Sequence, residues 1–343
     1  MFLNLFNIFA EKLNVNAVQF ANKFVMKKPF SIIRNLLAII GGLALIAGII
    51  TWIISPNYDV YFRKNNVGLY KDRVNALRSS GEYAADTNVF SMQIVQDSVR
   101  AKEIRDYFQL DTLFPENADT WEKAIAIGKF VASNIPHDNQ RKWPEHVNAI
   151  GLWEYTKDVA PAFNCRLHSI LTFELLLAEN IKARYITCMS QDKDDPDCHV
   201  VNEVWLPELN KWAMLDTDMG GHYVSDRDGT PLSLKEMREH YIAGKKMIMH
   251  YAFGEGSSKV DDYYAYMAKN TYWFSCWGSL SYYQEEYNVP GVDRNSYVNL
   301  IPSGYVPYGI DEGYIVTTNA ELFWGASLMD ARPEIVEEKT NSI

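Results

Sequence analysis

The chain is predicted to fold as an α+β protein, and three observations carry that prediction. Up to Ala178, apolar residues recur at helical spacing in several separate stretches. From Lys182 onward the period shortens to that of strands. The last two strand-like stretches are joined by the short turn Pro207-Glu208-Leu209-Asn210, as in a hairpin. Helical stretches followed by strand-like ones make a chain of mixed helix and strand.

Composition narrows the function classes. The 343 residues suffice for one large domain or two modest ones, and 13% aromatic content argues against disorder. The formal charge is −10 and no basic stripe is visible, so no nucleic-acid partner is expected. Four cysteines in a chain of this length do not make a disulfide framework.

The first organised stretch is a predicted membrane span. Residues 36 to 54 carry no charge and are rich in Ile, Leu, Ala and Gly. As a helix they extend about 28 Å, near the thickness of a bilayer's hydrocarbon core. More than thirty residues precede the run, and Trp52-Ile53-Ile54-Ser55-Pro56 is a poor cleavage context, so the segment reads as an uncleaved signal-anchor. Lys27, Lys28 and Arg34 crowd its start, whereas the exit begins Ser55-Pro56-Asn57-Tyr58-Asp59. That asymmetry predicts a cytoplasmic N-terminus and an extracytoplasmic main domain. The expected layout is a cytoplasmic segment over 1–30 and a transmembrane anchor over 31–55. Within 1–26, Phe2, Leu5, Phe6, Phe9 and Leu13 suit either an amphipathic surface helix or a plain tail.

Residues 56–118 are expected to form a mixed N-terminal part of the ectodomain, with a strand over 88–95 and a helix over 98–108. A core then runs over 119–250. Asp119 or Thr120 caps a helix that carries Trp121, Ala124, Ile127, Phe130 and Val131 and stops at Pro136. A second helix is predicted over 148–157. The third opens with Asn164 as N-cap and Cys165 as its first residue, and continues to Ala178. Strands follow over 182–189, 198–206 and 211–215, then a Gly- and Asp-rich loop over 219–229. Ser233 and Glu236 form a capping box for a helix that ends near Gly244. Residues 251–343, dense in Tyr, Trp and Phe, read as a C-terminal extension packed on the core.

The chemistry-bearing residues appear in the order Cys165, His199, Asp216. A thiol at a helix N-terminus meets the positive end of the dipole and unpaired backbone N–H groups, which favour the thiolate. A cysteine nucleophile also needs a base, and the base needs a partner to hold its tautomer. His199 lies on one strand of the hairpin and Asp216 ends the other, so the carboxylate returns beside the imidazole. His168, three residues beyond the cysteine, is a second candidate base, read as a packing residue.

The series Phe163-Asn-Cys-Arg-Leu-His-Ser169, Leu175 to Arg184, His199-Val-Val-Asn-Glu-Val-Trp205 and Lys211-Trp-Ala-Met-Leu-Asp216 resembles the transglutaminase-like superfamily over roughly residues 119–245. That resemblance implies a papain-like core, with the helix carrying the cysteine packed on an antiparallel sheet. It implies Cys165 as nucleophile, His199 as general base and acid, and Asp216 as the orienting carboxylate, with the Cys165 N–H in the oxyanion site. Two departures stand out. Asn164 occupies a place that is often glycine or another small residue in the family, and Asp216-Thr217-Asp218 replaces the common aspartate-proline, leaving Asp218 as a rival. Arg184 is expected to form a structural ion pair, and Glu203 to stay outside catalysis.

Cys188 and Cys198 flank the loop between the first two strands, which leaves a cross-strand disulfide open. The acidic loop over 192–197 lacks the glycine and glutamate of a calcium hand and reads as solvated. No metal or organic cofactor is implied. The expected activity is on amide bonds, hydrolysis favoured over transfer, with a peptide or protein substrate associated with the cell envelope. The competing expectation is a non-catalytic binding or scaffold module with the same cleft.

Overall fold

Short polar side chains set most of the helix starts. The protein's structure, a computed structural model, describes residues 27–54, 67–88, 90, 92–140, 142–195, 197–218, 222–251, 260–286, 289, 292 and 297–325. The chain divides into two units, 1–63 and 64–343. In the first, α1 (Lys27–Ile54) spans the uncharged run, and its described side chains, 33–49, are exposed. Among the described residues no helix is long and apolar enough to cross a membrane. The span expected at 36–54 is therefore not part of what the structure shows. The amphipathic stretch within 1–26 lies outside the described residues.

The second unit begins with α2 (Val67–Ser79), the short β1 (Gln93–Ile94) and α3 (Ser98–Phe108), whose N-cap Asp97 accepts from the N–H groups of Val99 and Arg100. Next come α4 (Thr120–Asn134), closed by an Asp119–Glu122 capping box, and α5 (Ala149–Asp158), capped by Asn148. In α6 (Cys165–Ala178), the Asn164 side chain accepts from the Leu167 N–H at 3.1 Å. Three strands follow, β2 (Ala183–Met189), β3 (His199–Leu206) and β4 (Lys211–Leu215). The remaining elements are β5 (His222–Ser225), α7 (Leu234–Ala243), β6 (Ile248–Tyr251), α8 (Val260–Asn270), β7 (Trp273–Trp277), β8 (Ser279–Leu280), β9 (Tyr297–Leu300), β10 (Ile315–Thr317) and α9 (Ala320–Trp324).

Six strands form the main sheet in the order β10-β9-β7-β2-β3-β4. Every neighbouring pair is antiparallel except β9 with β10. Helix α6 lies against β2 and β3, with α3, α4 and α5 also packed on it. Every residue of α6 from Leu167 to Ala178 is buried, which is why its sequence is apolar nearly all round. Two hydrogen bonds tie this helix to the strand carrying His199. Ser169 Oγ donates to the Val200 carbonyl at 2.9 Å, and Asn202 Nδ2 donates to the Ser169 carbonyl at 2.9 Å.

Beneath the sheet sits an ion pair. The β2–β3 register sets Arg184 opposite Glu203, and Arg184 Nη2 meets Glu203 Oε2 at 2.6 Å with both side chains buried. Arg184 Nη1 also donates to the Phe323 carbonyl at 2.7 Å, and Glu203 Oε1 accepts from the Leu234 N–H at 2.8 Å. Glu203 is thus a fully buried brace, joining the sheet to α7 and to the C-terminal helix α9.

Three expectations change. Residues after 250 do not merely pack on a finished core, because β7, β9 and β10 make up half of the main sheet. Of the strand expected over 88–95, the described residues form only Gln93–Ile94, paired in parallel with β8. The loop expected over 219–229 contains β5, which is paired with β6. The cross-strand disulfide left open above is not formed, since Cys188 and Cys198 are both free. The register opposes Cys188 to His199, which puts Cys198 one residue out of step.

Candidate active site

The nucleophile's position is built from three segments that meet before α6. The backbone of 136–138 runs beside Phe163, with Phe163 N–H donating to the Pro136 carbonyl at 3.0 Å and Asp138 N–H to the Phe163 carbonyl at 2.9 Å. Gln140 Oε1 then accepts from the Asn164 N–H at 3.1 Å, while its Nε2 donates to the Ala162 carbonyl at 2.8 Å. With Asn164 also capping the helix, the backbone on both sides of Cys165 is held. Cys165 itself is partly exposed.

His199 opens β3 and is fully buried. Its Nε2 lies 2.6 Å from Asp216 Oδ2, and a ring nitrogen lies within 4.8 Å of the Cys165 sulfur. Burial alone would push the imidazole toward its neutral form. The Asp216 charge and hydrogen bond, with the Cys165 contribution, outweigh this and hold its pKa well above the ordinary histidine value. Asp216 in turn accepts from the Tyr263 hydroxyl at 2.8 Å on Oδ2 and from the Asp218 N–H at 3.1 Å on Oδ1. The Tyr266 ring meets His199 edge to face, with centroids 5.2 Å apart.

Asp218, the rival carboxylate, is engaged elsewhere. Its Oδ1 lies 2.7 Å from His137 Nδ1 and 3.0 Å from His168 Nδ1. Burial would raise its pKa, but the hydrogen bonds from His137 and His168, and the nearby His199, hold the carboxyl well below the usual range. Its Oδ2 is buried and has no hydrogen-bond partner among the described residues. Single ligand atoms of Cys165, His199 and Asp218 nonetheless lie within 4.8 Å of one another. His168 is wholly buried, with Nδ1 3.0 Å from the Asn164 carbonyl and Nε2 2.9 Å from the Ile135 carbonyl. It props the start of α6.

The structure therefore brings Cys165, His199 and Asp216 into one chain of contacts, with Asp218 and His168 behind it. Sequence reasoning missed His137, Gln140, Tyr263 and Glu285. Glu285 accepts from Arg166 Nη2 at 2.7 Å, Tyr185 Oη at 2.8 Å and Trp277 Nε1 at 2.8 Å, and so anchors the residue after the cysteine. None of the four is near the cysteine in sequence. A cavity of about 490 Å³ lined by Arg100, Trp143, His146, Tyr155 and Tyr283 includes none of the three. Two aspartates of the acidic loop after β2 pair with Lys269, whose Nζ meets Asp195 at 2.9 Å and Asp197 at 2.7 Å.

A thiol at a helix start, beside a histidine that a buried carboxylate holds, can perform nucleophilic attack and proton transfer without a further group. Comparison with known proteins places this geometry. Residues 110–217 match the family model of the transglutaminase-like superfamily. No curated protein matches the chain. Among solved structures, one described as a "putative cysteine protease" from Cytophaga hutchinsonii is 17% identical, with a TM-score of 0.29. The match covers 48% of this chain and 50% of that one, so it spans half of that protein's length. Likeness at that level bears on neither activity nor substrate. Cys165, His199 and Asp216 all lie within the residues that match the transglutaminase-like superfamily model.

Proposed function

We propose that this chain is a membrane-anchored cysteine enzyme acting on amide bonds through Cys165, His199 and Asp216. The observation that carries the reading is the arrangement at His199, where one nitrogen is held by Asp216 at 2.6 Å and a ring nitrogen lies within 4.8 Å of the Cys165 sulfur. In the first half-reaction the Cys165 thiolate adds to the amide carbonyl carbon. The carbonyl oxygen takes the charge near the N-terminus of α6, where the Cys165 N–H would donate to it. The C–N bond then breaks as the protonated His199 gives its proton to the leaving amine, and a thioester to Cys165 remains. Water, deprotonated by His199, attacks the thioester and regenerates the thiolate pair with release of an acid. An amine in place of water would give transfer; hydrolysis is the reading favoured here.

The anchor is supported by the uncharged run 36–54 within the helix Lys27–Ile54 and by its exposed Leu and Ile side chains. Such a tether would keep the enzyme beside envelope peptides or proteins, with the N-terminus cytoplasmic. Protease accessibility in intact against lysed cells tests that topology.

Activity is tested by thiol labelling at neutral pH. Fast alkylation of Cys165 that is lost in His199→Ala supports the enzyme. Labelling as slow as that of Cys276, whose thiol pKa burial pushes up to about 12, would leave a binding module instead.

A further inference from the structure

The unpaired oxygen of Asp218 points to a metal. We propose that Cys165, His199 and Asp218 form a binding site for one divalent transition-metal ion of the Zn²⁺ type, and that this ion silences the nucleophile. The silencing half rests on the function proposed above; the binding half does not.

Four observations carry it. Ligand atoms of the three residues already lie within 4.8 Å of one another. An ion about 2.0–2.3 Å from each needs them to close by only about 1 Å. The Asp218 side chain is 1% exposed, its Oδ1 is taken by two histidines, and Oδ2 has no partner among the described residues. A buried carboxylate oxygen left bare is costly, and a cation at that spot removes the cost. His199 has Nε2 held by Asp216, which leaves Nδ1 as its coordinating atom and its ring orientation fixed. A carboxylate behind a ligating histidine is a recurrent device for setting tautomer and raising ligand basicity.

The donor set selects the metal class. One thiolate sulfur, one imidazole nitrogen and one carboxylate oxygen suit zinc or its neighbours and do not suit calcium or magnesium, which take oxygen ligands. Three protein ligands leave a fourth tetrahedral position to water. Binding uses the sulfur lone pair that would otherwise attack carbonyl carbon, and displaces to solvent the proton shared by the sulfur and the imidazole. The ion is therefore an inhibitor of this site rather than its cofactor.

Cobalt(II) titration of the full chain, purified in detergent, tests the binding half. The expected result is one ion per chain, with a thiolate-to-cobalt charge-transfer band that zinc displaces. The band should disappear in Cys165→Ser and persist in Cys198→Ser. Asp218→Asn should weaken binding at least tenfold. Because Asp218 also holds His168, circular dichroism must first show that this variant folds; Cys165→Ser, at a partly exposed helix start, tests the site if it does not. Absence of the band, its survival in Cys165→Ser, or unchanged affinity in a folded Asp218→Asn overturns the proposal. Cobalt binding without fast alkylation of Cys165 in the metal-free protein would sink the enzyme reading and leave the metal site standing.

Discussion

Tyr263 donates its hydroxyl to Asp216 Oδ2 at 2.8 Å, onto the same oxygen that holds His199 Nε2 at 2.6 Å. A residue from α8, beyond the matched domain, thus completes the surroundings of the carboxylate. Burial first, and then the Asp216 charge, push the Tyr263 phenol well above its ordinary pKa, so the hydroxyl remains a donor at any working pH. Removing it in Tyr263→Phe is expected to cost about 1.5–3 kcal/mol of stability, the range for hydrogen bonds to charged groups. Urea denaturation measures the loss. Alkylation of Cys165 should slow in the same variant, and an unchanged rate would show that Asp216 is held without the tyrosine.

Glu174 on α6 gives a pH dependence. It is buried and accepts from the N–H groups of Ala149 and Tyr283, both bonds holding elements around α6. Burial outweighs those bonds and pushes its pKa up to about 7. A folded-state pKa above the unfolded one means that the native state binds the extra proton. Its contribution is full below the unfolded carboxyl value and is lost as pH rises toward about 7. Over that window the change amounts to roughly 3 kcal/mol. Glu174→Gln should flatten the stability-against-pH curve there, read by thermal melts at successive pH values. A slope identical to that of the parent protein would remove Glu174 as its source.

The buried pair Arg184–Glu203 gives a coupling test. Arg184→Met strands the Glu203 carboxylate in the core and is expected to cost about 3–5 kcal/mol. In Arg184→Met with Glu203→Leu no lone charge remains, although the Leu234 N–H and the Trp324 indole lose an acceptor. The double variant should be less destabilised than the sum of its singles by at least about 1 kcal/mol. Additive losses in denaturant titrations would show that the two groups do not act as a pair.

What was legible in the sequence is what is local. Asn164 before Cys165, Asp119 or Thr120 before Trp121, and Ser233 with Glu236 each announce a helix start, and the structure places all three there, with Asp119 as the cap of the second. The hairpin of β3 and β4 was readable because a short turn joins two strands. Asp216 and Asp218 stand two apart in the sequence, so strand parity could not separate them; their different partners come from the fold. The partners from beyond 250 were hidden for a different reason. Strand β7 is buried on both faces and shows no alternation, so Trp273–Trp277 carries no periodic mark of a strand. Its pairing with β2 joins residues far apart in the chain. Tyr263 and Glu285 likewise come from chain segments far from Cys165 in the sequence.

The central place of β2 in the six-stranded sheet has a consequence for synthesis. As the chain leaves the ribosome, β3 can cover one flank of β2 soon after it emerges, but the other flank must wait for β7. At about 5–20 residues per second that interval lasts on the order of 5–20 s, during which a row of unpaired backbone groups faces the surroundings. The cysteine and its histidine are translated before this gap closes, whereas the hydroxyl behind Asp216 and the acid behind Arg166 arrive only near its end or after it. Nascent chains should thus be reactive late and sticky early, and a chaperone with affinity for open strand edges would find its target in that interval.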